Sequence, residues 1–299
     1  MALVPEGRLM GSLARGPAPE DSIEHPIASQ ADFGACLNGR EIAAYLPHHP
    51  DPRSASVRIP MTLKQRIGRW LIPRLPVNAE LVQELRFEAN CRLCRVKNWL
   101  SPAYHRRVRR LRGEKGLSLN VGSGGRGLPG WLNTDAVSHP ADQTFACDIR
   151  LGIPLADGSV ARIFAEHVFE HLNFRKEVPA VLREFHRVLQ PGGMARIIVP
   201  DGRRFAEAYL VNDRAHWGAL GLDPLPADMP TPMAMLNHVF HQGGEHHFAY
   251  DYETLEWVLN EAGFADVRRS AYGKSADPLL AIDRQEHARY SLYVEAAKP

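Results

Sequence analysis

The sequence has few cysteines and no long apolar run. Its four cysteines, Cys36, Cys91, Cys94 and Cys147, are too few and too scattered for a disulfide framework in 299 residues, so we expect reduced thiols. Cys91 and Cys94 have the spacing of half a zinc site, but no second pair follows. No stretch approaches the roughly 18 apolar residues that span a bilayer, and the first residues lack the apolar core of a secretory signal. We therefore expect a cytoplasmic protein.

The positive charge is concentrated in one part of the chain. The whole chain has a formal net charge of +2, whereas residues 61–115 contain 14 Lys and Arg against 4 Glu, a local excess of +10. Such a segment could contact nucleic acid phosphates or the anionic inner face of a membrane. Its arginines alternate with apolar residues suited to packing, and no nucleic-acid-binding motif accompanies them, so nucleic acid is the less favoured partner. Two interpretations stay open: peripheral membrane contact, or basic helices that are only solvated or packed on themselves.

Composition divides the chain into three parts. Residues 1–60 are rich in Pro, Ala, Ser and Gly, which predicts a disordered tail. Residues 61–115 predict a basic preface of two or three amphipathic helices broken at Pro73, Pro76 and Pro102. Residues 116–299 form the third part, and within it residues 201–250 predict an irregular, lid-like insertion.

Short apolar runs alternate with helical segments after residue 116, which predicts an α/β fold with a parallel sheet. The helix predicted most clearly is RKEVPAVLREFHRVLQ, which we expect Pro191, Gly192 and Gly193 to end before the next strand. A second helix is predicted in YETLEWVLNEAGF. The predicted strands are LSLNV, WLNT, QTFAC, ARIFA, ARIIVP, ADVRRS and SLYVEAAK.

A glycine-rich loop follows the first strand. Gly122, Gly124 and Gly127 match the G-x-G-x-x-G fingerprint of dinucleotide-binding proteins, so a nicotinamide dehydrogenase is one hypothesis. That fingerprint requires a helix whose N-terminus faces the pyrophosphate and an acid about 20 residues further on. Here Pro129 allows barely one helical turn, and Asp135 comes only 13 residues after Gly122. The loop therefore favours a ligand without a pyrophosphate.

Two acids follow the next two predicted strands. Asp135 could accept both hydroxyl groups of a ribose, and Asp148 could accept from an adenine amino group while Ile149 packs on the ring. The alternative for both acids is a helix or turn cap. Together with the loop, they indicate a site for a nucleoside without phosphates.

The chain from Leu117 to Pro299 resembles the class I S-adenosylmethionine-dependent methyltransferases. The motifs that carry the resemblance are NVGSGG, GWLNTD, IPLADGSVARIFAEHVFEHL, REFHRVLQPGG, IIVPD and HHFAYDYETLEWVLNEAGF, in order. The branch is similar to methyltransferase type 11 and is often linked to surface-glycan biosynthesis. The resemblance implies a Rossmann-like fold with a mostly parallel seven-stranded sheet and S-adenosyl-L-methionine as cofactor.

The resemblance also implies the positions of the cofactor. Residues at the end of the first strand surround its methionine part, and Glu166 and His167, at the end of the fourth, flank the sulfonium. Many class I enzymes have an acid where this chain has Asn120, which leaves an amide oxygen to accept a hydrogen bond. The implied cofactor-binding residues are Asn120, Gly122, Ser123, Gly124, Asp135, Asp148, Ile149, Glu166 and His167.

The segment NHVFHQGGEHHFAYD contains four of the 14 histidines. A metal site would need a Cys or Asp partner at ligand spacing, which is lacking nearby, so we predict none. A hydroxyl acceptor of a methyl group needs a base, and imidazole titrates in a suitable range. His246 is the first candidate, followed by His241 and His171. Alternatively these residues only bind substrate, and Glu170 with His171 could be the solvated start of a helix.

The leading hypothesis is therefore methyl transfer to a hydroxyl group of a sugar, a glycan or another small molecule. One alternative is a nucleic-acid methyltransferase, suggested by the basic preface. Another is a non-catalytic protein that binds the cofactor and serves as an interaction partner.

Overall fold

The computed structural model describes residues 79–137 and 144–299. The tail predicted for residues 1–60 lies outside these ranges, as do Pro73 and Pro76. No helix in the two ranges is long and apolar enough to cross a membrane. The helices are α1 (Ala79–Leu100), α2 (Pro102–Gly113), α3 (Val178–Val188), α4 (Gly202–Val211), α5 (Arg214–Ala219), α6 (Pro232–His241) and α7 (Tyr252–Glu261).

Within the described ranges, seven strands form one sheet in the order β3-β2-β1-β4-β5-β7-β6. The first five are parallel, and β7 is antiparallel to both of its neighbours. This confirms the predicted Rossmann-like fold with a mostly parallel sheet. The strands are β1 (Leu117–Val121), β2 (Leu132–Asp135), β3 (Phe145–Ala146), β4 (Val160–Glu166), β5 (Leu189–Pro200), β6 (Ala265–Arg269) and β7 (Ser291–Ala297).

Helix α3 packs its predicted apolar stripe against the sheet, with Val181, Leu182 and Phe185 fully buried. The prediction that this helix continues up to Pro191 was wrong. The helix stops at Val188, and Pro191, Gly192 and Gly193 already belong to β5. The physical reason is that the residue before a proline disfavours the helical conformation, so the chain becomes extended earlier.

The basic preface packs against the β3 edge of the sheet. Ser101 caps the start of α2, and Pro102 begins that helix, so the predicted break at Pro102 is confirmed. Tyr104 stacks on Phe145 of β3, with ring centroids 5.1 Å apart. In α1, the side chain of Asn98 donates a hydrogen bond of 3.1 Å to the Ala146 carbonyl. Both described helices of the preface therefore contact the edge strand.

The insertion at residues 201–250 is helical, and the prediction of an irregular segment was wrong. It contains α4, α5 and α6, whose capping residues Asp201, Asp213 and Thr231 each accept a hydrogen bond from a backbone N–H of the first turn. An isolated β-bridge between Asp201 and Tyr250 brings its two ends together. The helices bury a small core of their own, formed by Phe205, Ala208, Trp217, Leu220, Leu222 and Met235.

Candidate active site

The glycine loop is tightly packed on one side and open on the other. Gly122 has a φ of +65°, and a Cβ there would overlap Cγ2 of Val168. Gly124 has a φ of +56°, and no described atom lies within 4 Å of the place its Cβ would occupy. Between them, the hydroxyl oxygen of Ser123 is buried without a hydrogen-bond partner among the described residues. The loop thus offers open space and a buried polar group to a ligand.

Asp135 fixes this loop to the end of β2. Its carboxylate accepts hydrogen bonds from the backbone N–H groups of Gly124, at 2.9 Å, and Val137, at 3.1 Å. Behind the loop, the amide of Asn120 donates to the side-chain oxygen of Asn133 at 2.9 Å. The structure therefore brings Gly124 and Asp135 together at the carboxyl ends of β1 and β2, whereas the Asn120 amide is paired with Asn133.

Asp148 follows β3 but has partners that the sequence did not reveal. Both of its carboxylate oxygens accept from the Arg150 guanidinium at 2.9 Å, and Nη2 of Arg95 in α1 lies 3.5 Å from Oδ2. Burial alone would raise the pKa of Asp148, but these arginines lower it. The next residue, Ile149, is buried in the main core. The carboxylate is thus ionised, buried and largely occupied by arginine.

Glu166 and His167 lie at the end of β4. The Glu166 carboxylate accepts hydrogen bonds of 3.1 Å from the Arg284 backbone N–H and from Nδ1 of His287. His167 has a φ of +55°, and its Nε2 lies 2.9 Å from the Ser291 hydroxyl. Glu166 therefore braces the segment before β7, while the backbone strain at His167 turns the chain beside the glycine loop.

Two of the three predicted catalytic histidines meet at a buried carboxylate. Possible ligand atoms of Glu170, His171 and His246 all lie within 4.8 Å of one another. The Glu170 side chain is 2% exposed, and neither carboxylate oxygen has a hydrogen-bond partner in the described part of the chain. Nδ1 of His167 is 3.1 Å from Oε1, close enough for an ion pair when the imidazole is protonated. The centre of this cluster is Glu170, which the sequence left open as a solvated residue.

The two imidazoles are held in defined orientations. Nδ1 of His171 lies 3.0 Å from the Glu245 carbonyl, and Nδ1 of His246 lies 2.7 Å from the Val239 carbonyl. A carbonyl only accepts, so both Nδ1 atoms carry a proton, and in the neutral ring Nε2 has a free electron pair. Burial lowers the pKa of His246 to about 4, so this ring is neutral at pH 7.

The charge state of Glu170 follows from the same neighbours. Burial would raise its pKa, but the nearby imidazoles, His167 first, lower it to about 2. Glu170 is therefore a carboxylate at neutral pH, with little water to solvate it.

Backbone hydrogen bonds attach the end of the insertion to Glu170. The N–H groups of His247 and Phe248 both donate to the Glu170 carbonyl, at 2.7 and 3.3 Å. His241, the third predicted catalytic residue, is exposed at the end of α6, and its backbone carbonyl accepts from His246. The structure thus brings His171 and His246 together and places the His241 side chain outside their cluster.

The central part of the chain matches a known family. Residues 132–197, from β2 into β5, match the model described as a methyltransferase domain. No curated protein is significantly similar to the sequence.

Several solved structures are similar at low identity. One is a SAM-dependent methyltransferase from Archaeoglobus fulgidus, with 16% identity and a TM-score of 0.39 over 74% of this chain and all of that one. Another is a possible histamine N-methyltransferase from Thermotoga maritima, with 13% identity and a TM-score of 0.38 over 69% of this chain and 99% of that one. A third is phosphoethanolamine N-methyltransferase 2 from Haemonchus contortus, in complex with S-adenosyl-L-methionine, with 14% identity and a TM-score of 0.35 over 68% of this chain and 54% of that one. At this similarity they say nothing about the substrate of this protein.

The residues of the glycine loop and the end of β2 fit a nucleoside cofactor without phosphates. The buried Ser123 hydroxyl, the open space above Gly124 and the Asp135 carboxylate offer polar contacts and room. Together with the methyltransferase-domain match and the order of the seven strands, this indicates an S-adenosylmethionine-dependent methyltransferase, whose cofactor is S-adenosylmethionine.

Proposed function

We propose that this protein transfers the methyl group to a hydroxyl group of a sugar, a glycan or another small-molecule acceptor. The observation that carries the proposal is the largely buried cluster of Glu170, His171 and His246, where the segment after β4 meets the end of the insertion. A hydroxyl becomes a good nucleophile only when its proton is removed, and the Nε2 atoms of correctly oriented imidazoles can take part in that step.

The cofactor, when bound, supplies a methyl group on a positively charged sulfur. We assign its methionine part to Asn120, Gly122, Ser123 and Gly124, and its ribose to Asp135. We assign the adenine to the region of Asp148 and Ile149, where an amino group must share the Asp148 carboxylate with Arg150. Glu166 and His167 would lie beside the sulfonium, with Glu166 acting by bracing residues 284–287.

The acceptor hydroxyl would be bound between the end of β4 and the insertion. Its oxygen must lie in line with the carbon–sulfur bond for methyl transfer. With imidazole as the base, Nε2 of His246 or His171 accepts the hydroxyl proton as the oxygen bonds to the methyl carbon and the carbon–sulfur bond breaks. The exposed His241 would assist in acceptor binding at the entrance.

The test is transfer of a radiolabelled methyl group to a panel of sugars, nucleosides and phenols. We expect a labelled ether with at least one hydroxyl acceptor, and we expect His246→Gln to reduce the rate at least about 100-fold while S-adenosylhomocysteine still binds. The matched control is His247→Gln, because His247 is adjacent but exposed. Labelling of amines alone, or equal rates for both variants, would contradict the proposed chemistry.

We also propose that the preface contacts an anionic membrane surface from the cytoplasmic side. In α1, Leu85, Leu93, Val96 and Trp99 are between 51% and 73% exposed, which leaves an apolar face that residues 79–137 and 144–299 do not cover. Between residues 79 and 115 there are 10 Lys and Arg against 4 Glu, a net +6. Apolar side chains among basic ones suit the boundary of an anionic bilayer.

Co-sedimentation with vesicles tests this contact. We expect binding to vesicles rich in phosphatidylglycerol, weaker binding as salt increases, and loss of binding in a Leu93→Ser, Trp99→Ser double variant. Arg92→Gln should have a smaller effect, because it removes one charge and no apolar contact. Binding to tRNA or duplex DNA instead would support the nucleic-acid alternative, and a concentration-dependent dimer would assign the apolar face to a second copy.

In the methyl-transfer assay, absence of transfer to any acceptor, with cofactor still bound, would favour the non-catalytic alternative.

A further inference from the structure

The buried Glu170 carboxylate lacks the direct hydrogen bonds that such a group usually has. Glu170 is buried, and both of its carboxylate oxygens are without hydrogen-bond donors in the described ranges. A buried carboxylate is unfavourable unless donors or a positive charge compensate it. The nearest positive charge would be a protonated His167, whose Nδ1 lies 3.1 Å from Oε1. Both oxygens therefore keep lone pairs that no described hydrogen bond occupies.

His171 and His246 are oriented as metal ligands are. Each donates its Nδ1 proton to a backbone carbonyl, which fixes the ring and leaves Nε2 as the coordinating atom. This outer hydrogen bond is a general feature of histidines that bind metal ions, because it sets the tautomer and makes the ligand nitrogen more basic. Two rings with the same arrangement, at a centroid distance of 4.9 Å, face the same carboxylate.

We propose that Glu170, His171 and His246 bind one divalent transition-metal ion, of the class of Zn²⁺, Mn²⁺ or Fe²⁺, at the position where the acceptor oxygen is activated. The location rests on the proposed function. Two imidazoles and one carboxylate suit these ions. Metal–ligand distances of about 2.0–2.2 Å require ligand atoms roughly 3.3 Å apart, so side chains now within 4.8 Å of one another would close inward.

Three protein ligands leave at least one coordination position open for the acceptor. An oxygen bound there has a lowered O–H pKa, so its proton is released to water. The oxygen lone pair then bonds to the methyl carbon as the carbon–sulfur bond breaks, and that electron pair stays on sulfur. The products are the methyl ether, S-adenosylhomocysteine and one proton, with no change in oxidation state. His171 and His246 act here as ligands.

The sequence pattern predicted no metal site, because no Cys or Asp lies at ligand spacing near the histidines. The ligands proposed here are separated by 75 residues, between His171 and His246, and the carboxylate comes from a glutamate. The backbone bonds from residues 247 and 248 to the Glu170 carbonyl bring the two segments together.

The experiment is a metal titration of the full chain after treatment with a chelator. Co²⁺ is the spectroscopic probe, and Zn²⁺, Mn²⁺ and Mg²⁺ are titrated by calorimetry. We expect one ion per chain and a visible Co²⁺ spectrum typical of nitrogen and oxygen ligands. Glu170→Gln, His171→Gln and His246→Gln should each weaken Zn²⁺ binding at least about 100-fold, whereas His247→Gln should leave it unchanged.

The outcomes separate this proposal from the proposed function. A wild-type chain without a Co²⁺ spectrum, or with equal Zn²⁺ affinity in Glu170→Gln, would overturn the metal site even if methyl transfer continued. Binding of S-adenosylhomocysteine is measured in parallel, because it does not require the cluster. If the variants fail to fold, the Co²⁺ titration of the wild-type chain still tests the proposal. A Glu170 carboxylate that is paired only with His167 and binds no ion would give no Co²⁺ spectrum.

Discussion

Asp148, at the end of β3, lies 3.5 Å from Arg95, a residue of the helix α1 that precedes the sheet. The same carboxylate is held by Arg150, which also contacts Glu88 of α1 at 2.6 Å. The basic preface is therefore connected to the proposed adenine end of the cofactor site by a network of charges around a buried acid, and partly buried networks contribute more than exposed pairs.

Replacing Asp148 by Asn should loosen α1. The variant removes the charge that Arg95 and Arg150 share, so we expect faster backbone hydrogen exchange over residues 79–100 with little change in β4 and β5. Arg95→Met should have a smaller effect in the same direction. Arg92→Met is the matched control, because Arg92 is exposed on the same helix. Unchanged exchange in Asp148→Asn would show that apolar packing alone holds the preface.

The two glycines of the loop should respond differently to alanine. In Gly122→Ala the new Cβ overlaps Val168, so we expect a loss of roughly 1–3 kcal/mol in the free energy of unfolding. In Gly124→Ala the backbone strain costs about 1–2 kcal/mol at most, but the methyl group enters the open side of the loop. We therefore expect Gly124→Ala to lose cofactor affinity more than stability, as measured by calorimetry and urea unfolding. Equal cofactor affinity in Gly124→Ala and the wild type would contradict the placement of the ligand.

The stability of β5 should depend on one buried arginine. Arg196 is fully buried and donates to Asp283, at 2.6 and 2.7 Å, and to Glu295, at 2.8 Å. Arg196→Leu removes the buried guanidinium that two buried carboxylates share, so we expect a loss of about 3–5 kcal/mol in the free energy of unfolding. The exposed pair between Arg203 and Glu207 is the control, and Arg203→Leu should cost less than about 1 kcal/mol. Similar urea midpoints for both variants would disprove this difference.

Local sequence patterns predicted the sheet well, and they placed Gly124 and Asp135 at neighbouring strand ends. The apolar runs and the stripe on α3 follow the periods of strands and helices, and strand ends necessarily place Gly124 and Asp135 together. The insertion was not predicted as helical, although Asp201, Asp213 and Thr231 are typical N-caps, because its apolar residues pack on one another rather than on the sheet.

Long-range contacts were beyond prediction from one sequence. Arg95 reaches Asp148 across 53 residues, and His246 reaches Glu170 across 76. Neither contact has a periodic signal, because each depends on how a helix or an insertion folds back onto a strand end. The histidines were recognised as candidates, but their relation to Glu170 required the three-dimensional structure.

The most direct test of the central assignment is calorimetric titration with S-adenosylhomocysteine and with NAD of the wild type and of Asp135→Ala. We expect the wild type to bind S-adenosylhomocysteine and not NAD. In Asp135→Ala the affinity should fall by about 10- to 150-fold, the equivalent of about 1.5–3 kcal/mol for hydrogen bonds to a charged group, while the chain stays folded. Binding of NAD, or undiminished binding of S-adenosylhomocysteine by Asp135→Ala, would contradict the account.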